Sequence, residues 1–211
     1  MSDLPIVTDP YAVDAAWLTA ALNGAGIPVR VEGFTTQKVG DGMLGESVRF
    51  NLDYARPVEG APASVVGKFP SADPVSRATG GAIGLYLNEV RFYQEVAHTV
   101  DIRTPRPYVA AINTETHDFT LLLEDMGPAR GGNQLVGCSL ADAEVAMREA
   151  AALHGPRWAD PKLGDVEFLN RPAIEPAAIS AMFGGVITAF RARYEDPVSY
   201  THLTLPTSDL V

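Results

Sequence analysis

Three features in the first half of the chain have residue types and spacings that suit phosphate binding. Residues 40–45 have the sequence GDGMLG, in which Gly40, Gly42 and Gly45 form a GxGxxG pattern; Lys68 and Glu89 follow. Glycines let backbone N–H groups approach phosphates closely, an ammonium pairs with phosphate oxygens, and a carboxylate holds that ammonium in place. The combination predicts a site for a nucleoside triphosphate and therefore phosphoryl transfer.

The same glycine spacing occurs in dinucleotide-binding proteins, where it opens a helix and a later acidic residue binds the ribose. Here the residues after Gly45 predict a strand, because Val48, Phe50 and Leu52 alternate with polar residues. Residues 61–66, APASVV, contain no carboxylate for a ribose. A glycine loop between two strands is the arrangement of kinases, and we favour it over the dinucleotide interpretation.

Lys68 ends an apolar run and, taken alone, would be interpreted as a strand-end lysine with its ammonium in solvent. Glu89 favours a different interpretation. It shares a predicted helical face with four apolar residues: Leu85, Phe92, Tyr93 and Val96. A carboxylate within an apolar stripe needs a cationic partner. We predict that Lys68 is this partner, and that Arg91 and Glu95 are solvated charges on other faces.

These segments resemble the amino-terminal lobe of the aminoglycoside phosphotransferase and choline-kinase-like superfamily, and especially its ecdysteroid-kinase-like branch. The resemblance covers about residues 8–197 and rests on GDGMLG, on VVGK ending at Lys68, on NEVRFYQE at 88–95 and on LLLEDM at 121–126. It implies an α+β, protein-kinase-like fold, with an antiparallel-sheet N-lobe and the first helices of a truncated helical C-lobe. It also implies ATP-dependent phosphorylation of a small-molecule hydroxyl, with ATP and Mg²⁺ as cofactors.

The resemblance also implies roles for particular residues. Lys68 and Glu89 would be catalytic, and the nucleotide would be bound by Gly40, Gly42, Gly45, Ser47, Lys68 and the backbone from Glu124 to Met126. Ser47 stands where the protein-kinase pattern has valine, which leaves the register of the loop open. For the side chains of Glu124 and Asp125, we favour simple polar positions at the end of a strand.

The base and metal ligands of this superfamily belong to a His-Gly-Asp motif and later residues of the C-lobe. The one His-Gly pair here, at His154, is followed by Pro156, and we predict that Asp165 and Glu167 lie in a loop. His154 is predicted to belong to the buried stripe of a helix capped by Ser139, together with Leu140, Ala143, Met147 and Ala150. No metal ligand is therefore assigned, and the magnesium ligands are expected on a missing part of the C-lobe.

The elements that position these residues fall into three predicted parts. Residues 1–127 form the nucleotide-binding N-lobe, with a leading helix over 8–24, a sheet over 28–126 and a hairpin made by 107–113 and 119–123. Residues 128–197 begin the C-lobe, in which the uncharged run 176–190 predicts a buried helix. Residues 198–211 have a Thr/Leu/Pro-rich sequence that resembles translated sequencing adapter, and we predict a non-native tail; a genuine frayed terminus is the alternative.

Composition narrows the possible partners and location. The net charge of −10 argues against nucleic acid or an anionic membrane as a partner. The single cysteine, Cys138, cannot form an internal disulfide, and the first 20 residues hold three aspartates and no lysine or arginine, unlike a secretory leader. We therefore predict a cytoplasmic protein whose partners are a nucleotide and a small hydroxylated substrate.

Two functions fit this sequence. The first is the nucleotide-binding part of an ATP-dependent small-molecule O-phosphotransferase, inactive as these 211 residues. The alternative is a non-catalytic nucleotide-binding module of the pseudokinase type. The sequence does not identify the acceptor.

Overall fold

A five-stranded antiparallel sheet organises the first part of the chain. The computed structural model describes residues 4–40, 42–129, 131–132, 135–170 and 176–194. The strands are β1 (Val31–Lys38), β2 (Gly45–Tyr54), β3 (Ser64–Pro70), β4 (Pro107–Ile112) and β5 (Phe119–Glu124), in the order β1-β2-β3-β5-β4. Every pairing in this order is antiparallel. The predicted mixed α+β class with an antiparallel sheet is confirmed.

The leading helix begins later than predicted. A 3-10 turn over Pro10–Ala12 comes first, and α1 covers Ala15–Gly24. The backbone is extended at Val13, which separates the two, so Asp9 caps only the turn. Asp14 caps α1, because its carboxylate accepts a hydrogen bond of 2.7 Å from the Trp17 N–H. The predicted end at Gly24 is confirmed.

One face of the sheet packs on α1. Val48 and Phe50 of β2 are fully buried, as the alternating pattern predicted, and they share a core with Leu18 and Leu22 of α1. Val65 and Phe69 of β3 join the same core. Because side chains alternate along a strand, Arg49, Val66 and Lys68 lie on the opposite face.

That opposite face packs on a second helical segment. It comprises α2 (Pro74–Ala82), α3 (Leu85–Arg91), a π-helical turn over Phe92–Val96 and a 3-10 turn over Ala97–Thr99. Tyr86 and Val90 of α3 are buried against Phe119, Leu121 and Leu123 of β5. The sheet therefore lies between two apolar cores, and Lys68 belongs to the α3 side.

The helix α4 (Leu140–His154) begins as predicted but is not buried. Ser139 and Asp142 form a reciprocal capping box at its first turn. However, Leu140 is 88% exposed and Met147 is 67% exposed, and His154 is exposed as well. The predicted buried stripe is wrong, because no described element of the unit Met1–Leu169 covers this apolar face. Instead α4 contacts the connector after α3, where the Asp101 N–H donates to the Ala152 carbonyl at 3.0 Å.

The chain divides into two compact units, Met1–Leu169 and Asn170–Val211. Within the second, the structure describes α5 (Pro176–Tyr194). Phe183 and Val186 of α5 are 51% and 57% exposed, so the prediction of a buried helix over 176–190 is wrong. The predicted tail at 198–211 lies outside the described residues, and the predicted boundary after residue 127 stays a prediction.

No helix in the described ranges has both the length and the apolarity needed to span a membrane.

Candidate functional site

The predicted ion pair between Lys68 and Glu89 is present. The Lys68 ammonium donates to Oε1 of Glu89 across the space between β3 and α3. Their side chains are 34% and 32% exposed, so the pair lies in a cleft that water reaches. Lys68 is on the central part of the sheet, where β3 is bonded to β2 on one side and to β5 on the other. Both neighbouring strands therefore fix the backbone from which the Lys68 side chain extends, and Glu89 holds its ammonium.

Glu89 reaches this cleft from a helical face that differs from the predicted one. Tyr86 and Val90 form the buried side of α3, at 2% and 0% exposure, whereas Leu85 is 42% exposed. The π-helical turn at Phe92–Val96 inserts extra backbone into the helix and changes the register of the residues that follow. The predicted stripe combined residues on both sides of this turn at one constant period, and it included the exposed Leu85 instead of the buried Tyr86. Glu89 borders the core rather than interrupting it.

The glycine segment contributes two of its three glycines to the same cleft. A cavity of about 430 Å³ is lined by Gly42, Gly45, Ser47, Lys68, Tyr86 and Glu89, with further apolar residues around them. Ser47 is the direct register partner of Lys68. Gly40 lies outside this lining; its φ of +76° instead serves the turn that leaves β1. The sequence motif and the ion pair thus meet in one place.

Tyr86 ties the glycine segment to α3 directly. Its hydroxyl donates a hydrogen bond to the carbonyl of Leu44, and its ring packs on Phe119 with centroids 4.7 Å apart. A neighbouring tyrosine, Tyr93, has its pKa raised by burial and by the charge of Glu89. No signal in the sequence indicated the contact between Tyr86 and Leu44, because that contact depends on where the loop crosses the helix.

Glu124 and Met126 do not line the Lys68 cavity. Glu124 pairs in register with Val65, whose side chain belongs to the α1 side of the sheet. Its carboxylate accepts hydrogen bonds from the Arg103 guanidinium at 2.7 Å and from the Arg106 N–H at 3.0 Å, and these bonds lower the pKa of Glu124. The Met126 carbonyl accepts from the Ala129 N–H at 2.9 Å, within the turn that follows β5. Binding of the nucleotide by the backbone from Glu124 to Met126 stays a prediction.

Asp125 has a structural role that the sequence interpretation missed. Its carboxylate accepts two hydrogen bonds from Arg49, one of 2.6 Å from the Ser64 hydroxyl and one of 3.0 Å from the Gly127 N–H. The bond with Arg49 is the largest cause that lowers the pKa of Asp125 to about 2. Asp125 is therefore not a simple polar residue at the end of a strand.

Size alone would not have selected the Lys68 cleft. Two larger cavities, of about 710 and 720 Å³, are lined by residues around Arg30 and Arg56 and around Arg49 and Asp125. Neither contains a glycine-loop residue or a lysine among its lining residues. We take the 430 Å³ cleft as the candidate site because two features meet in it: glycine backbone that a ligand can approach closely, and the Lys68 ammonium, which Glu89 holds.

The residues that sequence reasoning set aside stay apart from this cleft. Asp165 lies in the exposed 3-10 turn Pro161–Asp165 and Glu167 begins the next one, in line with the predicted loop. Cys138 is exposed and its thiol is free. Within the described ranges, no three His, Cys, Asp or Glu side chains come close enough together to hold a metal ion. No magnesium ligand set can be assigned from these residues.

Comparison with known proteins adds no family assignment. No model of a known protein family matches the chain, and no curated protein matches it.

Proposed function

We propose that this chain is the nucleotide-binding part of an ATP-dependent O-phosphotransferase for a small hydroxylated molecule, with a protein-kinase-like arrangement of its first unit. The observation that carries the proposal is the convergence of Gly42, Gly45 and the Lys68–Glu89 pair on one cleft. The order of the elements supports it as well. The glycine loop joins β1 to β2, Lys68 lies on β3, and Glu89 lies on α3, the second helix after β3. The hairpin of β4 and β5 follows this helical segment.

In this proposal each residue has a defined chemical task. The Lys68 ammonium pairs with phosphate oxygens of the bound nucleotide, and Glu89 holds the ammonium in position when the cleft is empty. Gly42 and Gly45 carry no side chain, so phosphates can approach the loop backbone. ATP supplies the phosphoryl group that would be transferred. Magnesium is expected with ATP, but the described residues offer no ligand set for it.

A second candidate is a nucleotide-binding module without catalysis. The observation that favours it is the exposed His154 at the end of α4, followed in sequence by Gly155 and Pro156 rather than by an aspartate base. This candidate binds ATP at the same cleft. ATP hydrolysis above that of the Lys68→Met variant would favour the enzyme, whereas binding without turnover is expected of both candidates for these 211 residues. A cytoplasmic location is part of both proposals.

Calorimetric titration with ATP, with and without magnesium, tests the shared part of both candidates. Lys68→Met should weaken ATP binding by about 10- to 100-fold, the range for one lost hydrogen bond to a charged group. Arg91→Met is the matched control, because Arg91 is 39% exposed and also forms an ion pair, with Glu95 at 3.1 Å. Equal losses in the two variants, or no binding by the unmodified chain, would refute the proposal.

A further inference from the structure

The side chain of Tyr86 is held on three sides. Its ring packs on Phe119, its hydroxyl donates to the Leu44 carbonyl, and α2 lies beneath it at Gly80. A Cβ atom at Gly80 would lie 2.5 Å from Cζ and 2.7 Å from the hydroxyl of Tyr86. The absence of a side chain at Gly80 therefore makes room for the phenol. Tyr86 is 2% exposed, so its hydroxyl has little access to water as an alternative partner.

The hydrogen bond joins two parts of the candidate site. Leu44 immediately precedes Gly45, and Tyr86 lies one helical turn before Glu89 on α3. Because a peptide unit is planar and trans, fixing the Leu44 carbonyl also fixes the Gly45 N–H on the opposite side of that unit. The orientation of the glycine loop is thus set by the same helix that carries Glu89.

We propose that Tyr86 is a positioning residue that holds the glycine loop in register with the Lys68–Glu89 pair. This inference rests on the proposed function for its effect on nucleotide affinity. Its structural part, an anchor on the loop, does not depend on a nucleotide. Movement of α3 therefore moves the loop as well, and a nucleotide that orders the loop also stabilises the position of Glu89.

Tyr86→Phe removes the hydroxyl and keeps the ring. The matched control is Tyr54→Phe, because the Tyr54 hydroxyl also donates to a carbonyl, that of Pro62, at 2.7 Å and away from the cleft. Hydrogen exchange of peptides covering 39–47 should be roughly fivefold faster in Tyr86→Phe without ligand, and ATP affinity should fall by a similar factor, as expected for one lost hydrogen bond. Tyr54→Phe should change neither quantity, although it should lower the melting temperature.

A second pair of variants tests the anchor with the tyrosine intact. Gly80→Ala should displace the phenol and accelerate exchange in the loop. Gly81→Ala is its neighbour and control, because a Cβ there would meet the ring of His117 at 2.8 Å rather than Tyr86. Loop exchange that is unchanged in Tyr86→Phe and Gly80→Ala, or equally changed in the controls, would overturn the inference. Faster loop exchange in a chain that binds no ATP would support the anchor while refuting the proposed function.

Discussion

Arg49 and Asp125 form a two-pronged ion pair that joins β2 to the segment after β5. Nε of Arg49 lies 2.5 Å from Oδ2 of Asp125, and Nη2 lies 3.0 Å from Oδ1. The side chains are 27% and 11% exposed, so this pair is less accessible than the Lys68–Glu89 pair. Planar, two-bond geometry of this kind is the strongest form of arginine–carboxylate contact. The pair fixes the start of the post-β5 segment against the sheet.

Removing the Asp125 carboxylate should destabilise the fold. Asp125→Ala leaves the Arg49 guanidinium partly buried without its anion, and we expect a loss of about 2–3 kcal/mol in the free energy of unfolding. Glu144→Ala is the control, because Glu144 pairs with Arg148 on the surface of α4, where the side chains are 63% and 76% exposed. That change should cost less than about 0.5 kcal/mol. Urea unfolding at pH 7 measures both, and similar losses would contradict the prediction.

The contribution of Asp125 should depend on pH. Its pKa in the folded state is about 2, below the usual 3.8, so the carboxylate form is favoured by folding. The resulting stability, about 2 kcal/mol, is complete above roughly pH 5 and is lost as the pH falls towards 2. The difference in unfolding free energy between the unmodified chain and Asp125→Asn should therefore narrow from pH 7 to pH 3. A constant or widening difference would show that this carboxylate is not held as described.

The Lys68–Glu89 pair should contribute little to stability. Both side chains are about one-third exposed, and water can solvate either charge when the other is removed. We expect Lys68→Met and Glu89→Gln each to change the unfolding free energy by less than about 1 kcal/mol. Thermal melting of Lys68→Met and Glu89→Gln, measured beside Asp125→Ala, compares their losses of stability. If Lys68→Met unfolds the chain, the pair is a structural element and loss of ATP binding in that variant would not identify a site.

A pair of leucines compares the α3-side core with the exposed face of α4. Leu121 is fully buried in the core with Tyr86 and Val90 of α3, and Leu140 is 88% exposed. Leu121→Ala should cost about 3 kcal/mol, the usual range for a cavity left in a core. Leu140→Ala should change the unfolding free energy by no more than about 0.5 kcal/mol. A large loss in Leu140→Ala would mean that this face of α4 is covered in solution.

The sequence predicted the parts of the site that have local signals. Alternation in β2 identified the buried Val48 and Phe50, and a carboxylate in an apolar helix indicated a partner for Lys68. Arg49 gave no such signal, because a polar residue in an alternating strand is also what a solvent-facing position looks like. Its partner lies 76 residues later, and only the registers of β2, β3 and β5 bring the two together. The buried position of Tyr86 was missed because the predicted apolar stripe assumed one constant helical period, whereas a π-helical turn at Phe92–Val96 interrupts that period.

The strand order has a consequence for how the cleft is assembled during folding. The strands β1, β2 and β3 pair as consecutive neighbours, and β4 and β5 form a local hairpin, whereas the β3–β5 ladder closes the long intervening segment that contains α2 and α3. Closing a long loop costs chain entropy before its contacts repay it. Lys68 lies on this last ladder, opposite Leu121. We therefore expect the Lys68 ammonium to reach its final environment late in folding. A nucleotide would then bind only after the β4–β5 hairpin has paired with the sheet formed by β1, β2 and β3.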